Sequence, residues 1–158
     1  MNAQNPVIYG EVTVNAPIDK VWETWTTEEG IKTFFAPACR VWLKPEGAFE
    51  MYFDLHAPLG EQGSEGCHIL AFQSPQMLTF TWNAPTHLPE VRNHRTVVTL
   101  RFREPEPGKT TVMLWHSGWG EGDTWDAAFN YFARAWLEVV FPRLQQRFEK
   151  GPVDWDRI

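Results

Sequence analysis

His116 is the titratable residue best placed to do chemistry. It closes the run TTVMLWHS (110–117) in phase with Val112 and Leu114, so it is expected to face inward, near the mouth of whatever that strand encloses. As a general acid or base it needs a substrate within hydrogen-bond reach and a pKa tuned toward the working pH. No orienting carboxylate stands beside it in sequence. That favours a histidine that hydrogen-bonds the loop 118–122 and fixes its path. Tyr52 is the second candidate. With Glu50 and Asp54 it forms one face of AFEMYFD (48–54), opposite Phe49, Met51 and Phe53. Alternation alone places the polar face in solvent; with the phase reversed, two carboxylates and a phenol would line an interior.

The remaining ionisable groups form no recognisable catalytic set. Arg92, His94 and Arg95 make a small basic cluster, read as a solvated strand edge or as a place to receive a ligand carboxylate. His56, His68, His87 and His94 are spread over separate elements with no metal-ligand spacing, so no metal is expected. Cys39 and Cys67 match no zinc or redox motif and are expected to be free thiols. The glycines of HSGWGEG have the wrong spacing for a phosphate loop, and no nucleophile elbow, zincin helix or dinucleotide fingerprint occurs. No cofactor is expected.

The elements that must position these residues follow from periodicity. VIYGEVTV (7–14) alternates as a strand, and APIDKVWETWT then carries Val21, Trp22 and Trp25 at helical spacing after Pro17. A second short helix, EEGIKTFFA, ends before Pro37. Six strand candidates follow, at 39–43, 48–54, 66–73, 77–83, 95–104 and 110–117. Turn chemistry such as KPEG, SPQ and PEPGK separates them, which implies an antiparallel sheet. APTHLPEVRN reads as a long loop.

One long helix is expected from about residue 123 to Lys150, with Asp123 as N-cap, Asp126 completing a capping box, and Gly151 and Pro152 closing it. Trp125, Phe129, Phe132, Trp136, Val140 and Leu144 form its apolar stripe. Asp126, Asn130, Arg134 and Glu138 form the wet one. Pro142 predicts a kink. Such a helix is about 40 Å long, enough to cross a whole sheet, and GWGEG lets the chain reverse onto the concave face.

Composition bounds the function. A chain of 158 residues fits one domain over 1–158, with 151–158 as a C-terminal tail in which Trp155 is expected to fold back. The formal charge of −6 argues against nucleic acid as a partner. The start MNAQNPVIYG shows no secretory signal and no run is long enough for a membrane span, so a cytoplasmic location is expected. Nine tryptophans are several times ordinary usage and fit a ligand groove, a subunit interface or a wide interior that must be filled. Trp42 falls on the opposite phase from Val41 and Leu43, an outer-face ring that a homodimer could use.

Four stretches, APIDKVWETWTTEEGIKTFFAP, EGCHILAFQSPQMLTFTW, RTVVTLRFREPEPGKTTVMLWHSGW and WDAAFNYFARAWLEVVFPRL, cover roughly residues 8–150 in order. In them the chain resembles the activator of heat-shock-protein-90 ATPase homologue family, within the START and birch-allergen-like (SRPBCC) superfamily. It departs from the family pattern in having Phe34 where tryptophan is common, and in its longer 84–94 loop. The resemblance implies an α+β helix-grip fold: a curved antiparallel sheet of about seven strands, two short helices, and a long C-terminal helix on the concave face. It also implies an apolar groove between helix and sheet, and no shared catalytic motif.

The expected lining comes from Phe34, from Phe49, Met51 and Phe53 on one strand, and from Ile69, Phe80, Trp82, Val98, Leu114 and His116 across the sheet. Trp125, Phe129, Phe132 and Trp136 face them from the helix. The reading favoured on these grounds is a binding protein for a small apolar or aromatic molecule. The alternatives are a cyclase-, aromatase- or hydrolase-like enzyme using His116 or Tyr52, and a chaperone-interacting module. A groove filled by its own rings is the competing structural reading.

Overall fold

The computed structural model describes residues 5–158. Strand β1 (Ile8–Val14) buries Ile8, Val12 and Val14 and exposes Tyr9, Glu11 and Thr13, the alternation of a sheet with one wet face. Helix α1 (Ile18–Thr26) follows, and its first free N–H is taken by a distant side chain. Ile18 donates to the Glu104 carboxylate at 2.8 Å, because Pro17 at the N-cap offers no side-chain acceptor. The second helix is shorter than expected. Helix α2 (Glu28–Ile31) is one turn, capped by Thr27 Oγ1 accepting from Gly30 N–H at 3.0 Å.

The strands then run β2 (Ala38–Val41), β3 (Phe49–Tyr52), β4 (Ile69–Gln73) and β5 (Met77–Trp82), with β6 (Thr96–Glu106) and β7 (Lys109–Ser117) after the 84–94 segment. The seven strands and long C-terminal helix of the expected α+β helix-grip fold are present, with the strands in two groups. Five strands pair antiparallel in the order β1-β7-β6-β5-β4, and β2-β3 form a separate pair. A register shift between Ile69 and Ala71 bulges β4 and turns it away from β3. The backbone link between the sheets runs through the Ala48–His68 bridge, Phe49 N–H to the Cys67 carbonyl at 3.0 Å, Ile69 N–H to the Gly47 carbonyl at 2.8 Å and Glu46 N–H to the Ile69 carbonyl at 2.7 Å. The segment read as a loop at 84–94 contains one helical turn, α3 (Pro89–Arg92), with proline where its missing N–H does no harm.

The long helix is continuous but not uniform. Helix α4 (Asp123–Arg134) passes into a π-helical segment (Ala135–Val140) and then α5 (Phe141–Lys150). Phe141 N–H reaches back five residues to the Trp136 carbonyl. The wide turn lies immediately before Pro142, whose ring crowds the Glu138 carbonyl and which has no N–H to give it. The extra residue keeps Trp136, Val140 and Leu144 on the buried face. Asp123 is not the N-cap. Gly122, at φ +112°, makes the reversal one residue earlier, and Asp126 N–H bonds its carbonyl at 2.9 Å. Both aspartates still lie in the first turn, where they oppose the helix dipole.

Gly10 lies directly beneath Leu137, so the absence of a Cβ lets the helix settle on β1. The tail docks on the turn after α2: Val153 N–H donates to the Thr33 carbonyl at 2.9 Å and Trp155 Nε1 to the Lys32 carbonyl at 2.6 Å. Cys39 and Cys67 are free, and burial pushes both thiols up to about 11. No helix among the described residues is long and apolar enough to cross a membrane.

Candidate functional site

His116 is fully buried where β7 ends. Trp136 Nε1, which can only donate, bonds its Nδ1 at 3.0 Å, so the proton sits on Nε2. That nitrogen donates to Thr96 Oγ1 at 2.7 Å, and Thr96 passes its own proton to the Trp82 carbonyl at 3.2 Å. Burial depresses the imidazole pKa to about 3. The main chain of His116 also serves the following loop, because its carbonyl accepts from Trp119 Nε1 at 3.0 Å. The group stands as a neutral connector between sheet, helix and loop.

The groove between helix and sheet is packed with rings. Phe35, to which the sequence drew no attention, is at the centre: its centroid lies 5.6 Å from Trp25, Phe34 and Trp136, 5.7 Å from Trp82 and 6.0 Å from Phe53. Phe49 stacks on Phe80 at 4.3 Å. Phe34, Phe49, Met51, Ile69, Phe80, Val98 and Leu114 are all fully buried in this mass. They are packed against one another as part of the buried core.

Space opens where the groove meets the loops. A cleft of about 250 Å³ is bordered by the end of β5 (Trp82, Asn83), the loop 53–64, residues 84–87, Arg92, and Tyr131 and Phe132 on α4. Trp82 and Phe132 form its buried floor, while Phe53 (46% exposed) and Tyr131 (43% exposed) stand as its sides. Arg92 builds the rim. Its Nη1 donates to the Ala84 carbonyl at 2.6 Å, its Nη2 to the Gly60 and Gly63 carbonyls at 2.9 and 2.8 Å, and Glu65 pairs with it at 3.5 Å. Gly63 is required there because an added Cβ would strike the Met51 carbonyl.

The expected lining residues therefore divide. Phe53, Trp82 and Phe132 border the cleft, whereas Trp125 and Phe129 border another hollow of about 270 Å³ with Trp119 and Pro6. Trp136 and His116 lie in the packed interior. Tyr52 is away from the cleft, hydrogen-bonded to Glu50, and burial with that bond pushes its phenol well above the usual range. Arg92 is neither a solvated edge nor a free anion receptor. The residues that the sequence did not single out are Asn83, Gln62, Ser64, Glu61 and Tyr131. Tyr131 was the one with a signal, a ring off the apolar stripe beside Phe132. Trp42 is 58% exposed with Lys44 Nζ 3.4 Å from its ring centroid.

A family model described as "Activator of Hsp90 ATPase homolog 1-like protein" matches residues 15–149. No curated protein matches the chain. Among solved structures, protein MLL2253 from Mesorhizobium loti is similar with a TM-score of 0.72 and 20% identity, over 94% of this chain and 100% of that one. Protein BH1534 from Bacillus halodurans gives 0.67 and 28%, over 91% and 97%. A solution structure described as the Aha1 dimer from Colwellia psychrerythraea gives 0.69 and 16%, over 92% and 98%.

Proposed function

The chain belongs to the Activator of Hsp90 ATPase homolog 1-like family, and on that premise we propose that it binds a small aromatic molecule in the cleft at the open end of the helix–sheet groove. The observation that carries this is the convergence of Phe53, Trp82, Tyr131 and Phe132 on one hollow, two of them far more exposed than the rings of the interior. Exposed aromatic side chains grouped around a concavity, with a few polar groups at its rim, are the usual make-up of a ligand site. An engineered dry cavity of about 150 Å³ takes up benzene, so a hollow of about 250 Å³ suits a molecule of one or two rings. Catalysis is not part of this proposal, because His116 is buried away from the cleft with both ring nitrogens engaged.

The test is a thermal-shift and tryptophan-fluorescence titration with indole and the naphthols. Binding should stabilise the fold by about 2.7 kcal/mol at a hundredfold excess over the dissociation constant. Tyr131→Ala should keep the melting temperature of the free protein within a few degrees and lose most of the ligand response. A wild-type protein that responds to no one- or two-ring compound, charged or neutral, would overturn the proposal.

A further inference from the structure

We infer that the cleft selects ligands that donate hydrogen bonds, aryl amines and aryl alcohols, and rejects aryl carboxylates. This rests on the reading of the cleft as a ligand site and follows from which of its polar atoms are already engaged. Arg92 is the bordering cation, and its two terminal nitrogens are held by three backbone carbonyls while Glu65 neutralises its charge. Glu65 is in turn fixed by the N–H groups of Gln62 and Gly63, at 2.8 and 2.7 Å. The guanidinium is thus a strut of the rim.

The two amides of the lining are turned the same way. Asn83 Nδ2 faces the Gly63 and Glu65 carbonyls at 3.3 and 3.5 Å, and Gln62 Nε2 donates to the Ala57 carbonyl at 3.0 Å. Carbonyl oxygens only accept, so these contacts fix the orientation of both amides and leave Asn83 Oδ1, and Gln62 Oε1 with one remaining Gln62 N–H, as the groups each can offer. Asp54 and Glu61 add two carboxylates at the rim, with one Asp54 oxygen already accepting from His56 N–H at 3.0 Å. Ser64 Oγ already accepts from Met51 N–H at 2.7 Å, while the Thr86 and Tyr131 hydroxyls and the His87 imidazole can act either way. Among the described residues the cleft is therefore rich in acceptors and carries negative charge without a free cation to answer it. A carboxylate placed there meets like charge, while an ammonium or hydroxyl meets partners.

Three probes of nearly one shape separate the possibilities: tryptamine, tryptophol and indole-3-acetate, titrated by calorimetry into the full-length protein at pH 7. The amine and the alcohol are each expected to bind at least about tenfold tighter than the acetate, the size of effect that two like charges at close range produce. In the Asp54→Asn/Glu61→Gln double variant the amine should lose most of its advantage over the acetate while the alcohol changes little. The variant is still acidic, with two charges removed from a formal −6, so the general attraction of such a protein for amines is largely common to both proteins and drops out of the comparison. Acetate binding as tight as that of the amine in the wild type would overturn the inference and leave the cleft as a ligand site. No binding by any of the three would remove the site and the inference together.

Discussion

The indole nitrogen of Trp136 donates to Nδ1 of His116 at 3.0 Å, and that bond ties the long helix to the last strand inside the core. The chain of donors continues through His116 Nε2 and Thr96 to the Trp82 carbonyl, so one neutral imidazole satisfies partners on the helix and on two further strands. Protonating Nδ1 would turn an acceptor into a second donor facing an indole that can only donate.

The first prediction is a pH dependence. Burial holds the folded-state pKa of His116 at about 3, below the ordinary value near 6.5. Below that ordinary value the unfolded chain takes up a proton that the folded chain refuses. The contribution of His116 is therefore complete above about pH 6.5 and is lost as pH falls toward 3, at about 1.4 kcal/mol per pH unit. Urea unfolding of wild type and His116→Gln from pH 7.5 to 4.5 checks this. The stability advantage of the wild type should shrink steadily on acidification; a constant difference would show that the imidazole titrates normally.

Trp136→Phe removes the donor and leaves His116 Nδ1 buried without one. A loss of about 1–3 kcal/mol is expected from the orphaned acceptor, or roughly 2–12 °C in melting temperature for a chain of this size. A variant as stable as the wild type would mean that water reaches Nδ1.

Much of this fold was readable because its signals are local. The alternation in β1 and the i, i+4 stripe of the long helix each follow from a few neighbouring side chains. The separation of β2-β3 from the main sheet was not readable, since pairing between strands distant in sequence leaves no mark on local periodicity. The family likeness implied a groove, and the rings that fill it were mostly among those named. Phe35 escaped because it follows helix α2 in a turn where neither helical nor strand periodicity applies. The cleft was least legible. Arg92, Asn83 and Gln62 become a rim only when the 53–66 loop folds back across α3, and the spacing of these residues gives no hint of that contact.

Arg92→Lys tests that rim. A lysine amine is a point donor and cannot span the Ala84, Gly60 and Gly63 carbonyls together. The expected result is faster amide exchange and easier proteolytic nicking within residues 57–65, with the core strands unaffected. Unchanged protection of that loop would show that Glu65 and Asn83 hold it without the guanidinium.

The docked tail gives a further prediction. Trp155 donates to the Lys32 carbonyl at 2.6 Å, and the Arg143 guanidinium lies 5.2 Å from its ring centroid. Trp155→Ala should cost about 1–2 kcal/mol, the sum of one hydrogen bond and a partly exposed ring contact, read as a drop of roughly 2–8 °C. Deleting residues 151–158 should cost somewhat more, because Val153 is buried against the body and bonds Thr33. A tail whose removal leaves the melting curve in place would not be part of the folded unit.

Filling and opening can be told apart at two phenylalanines whose centroids are only 6.0 Å apart. Phe35 is surrounded by Trp25, Phe34, Trp82 and Trp136, so Phe35→Ala leaves a void among large rings and should cost about 3–5 kcal/mol. Phe53 is 46% exposed on the wall of the cleft, and Phe53→Ala should cost about 1 kcal/mol or less because half of its ring already meets solvent. Calorimetric unfolding of the two variants measures the contrast. Equal losses would mean that Phe53 is core and that the cleft closes in solution; a small loss at Phe35 would mean that the interior is looser than its ring distances require.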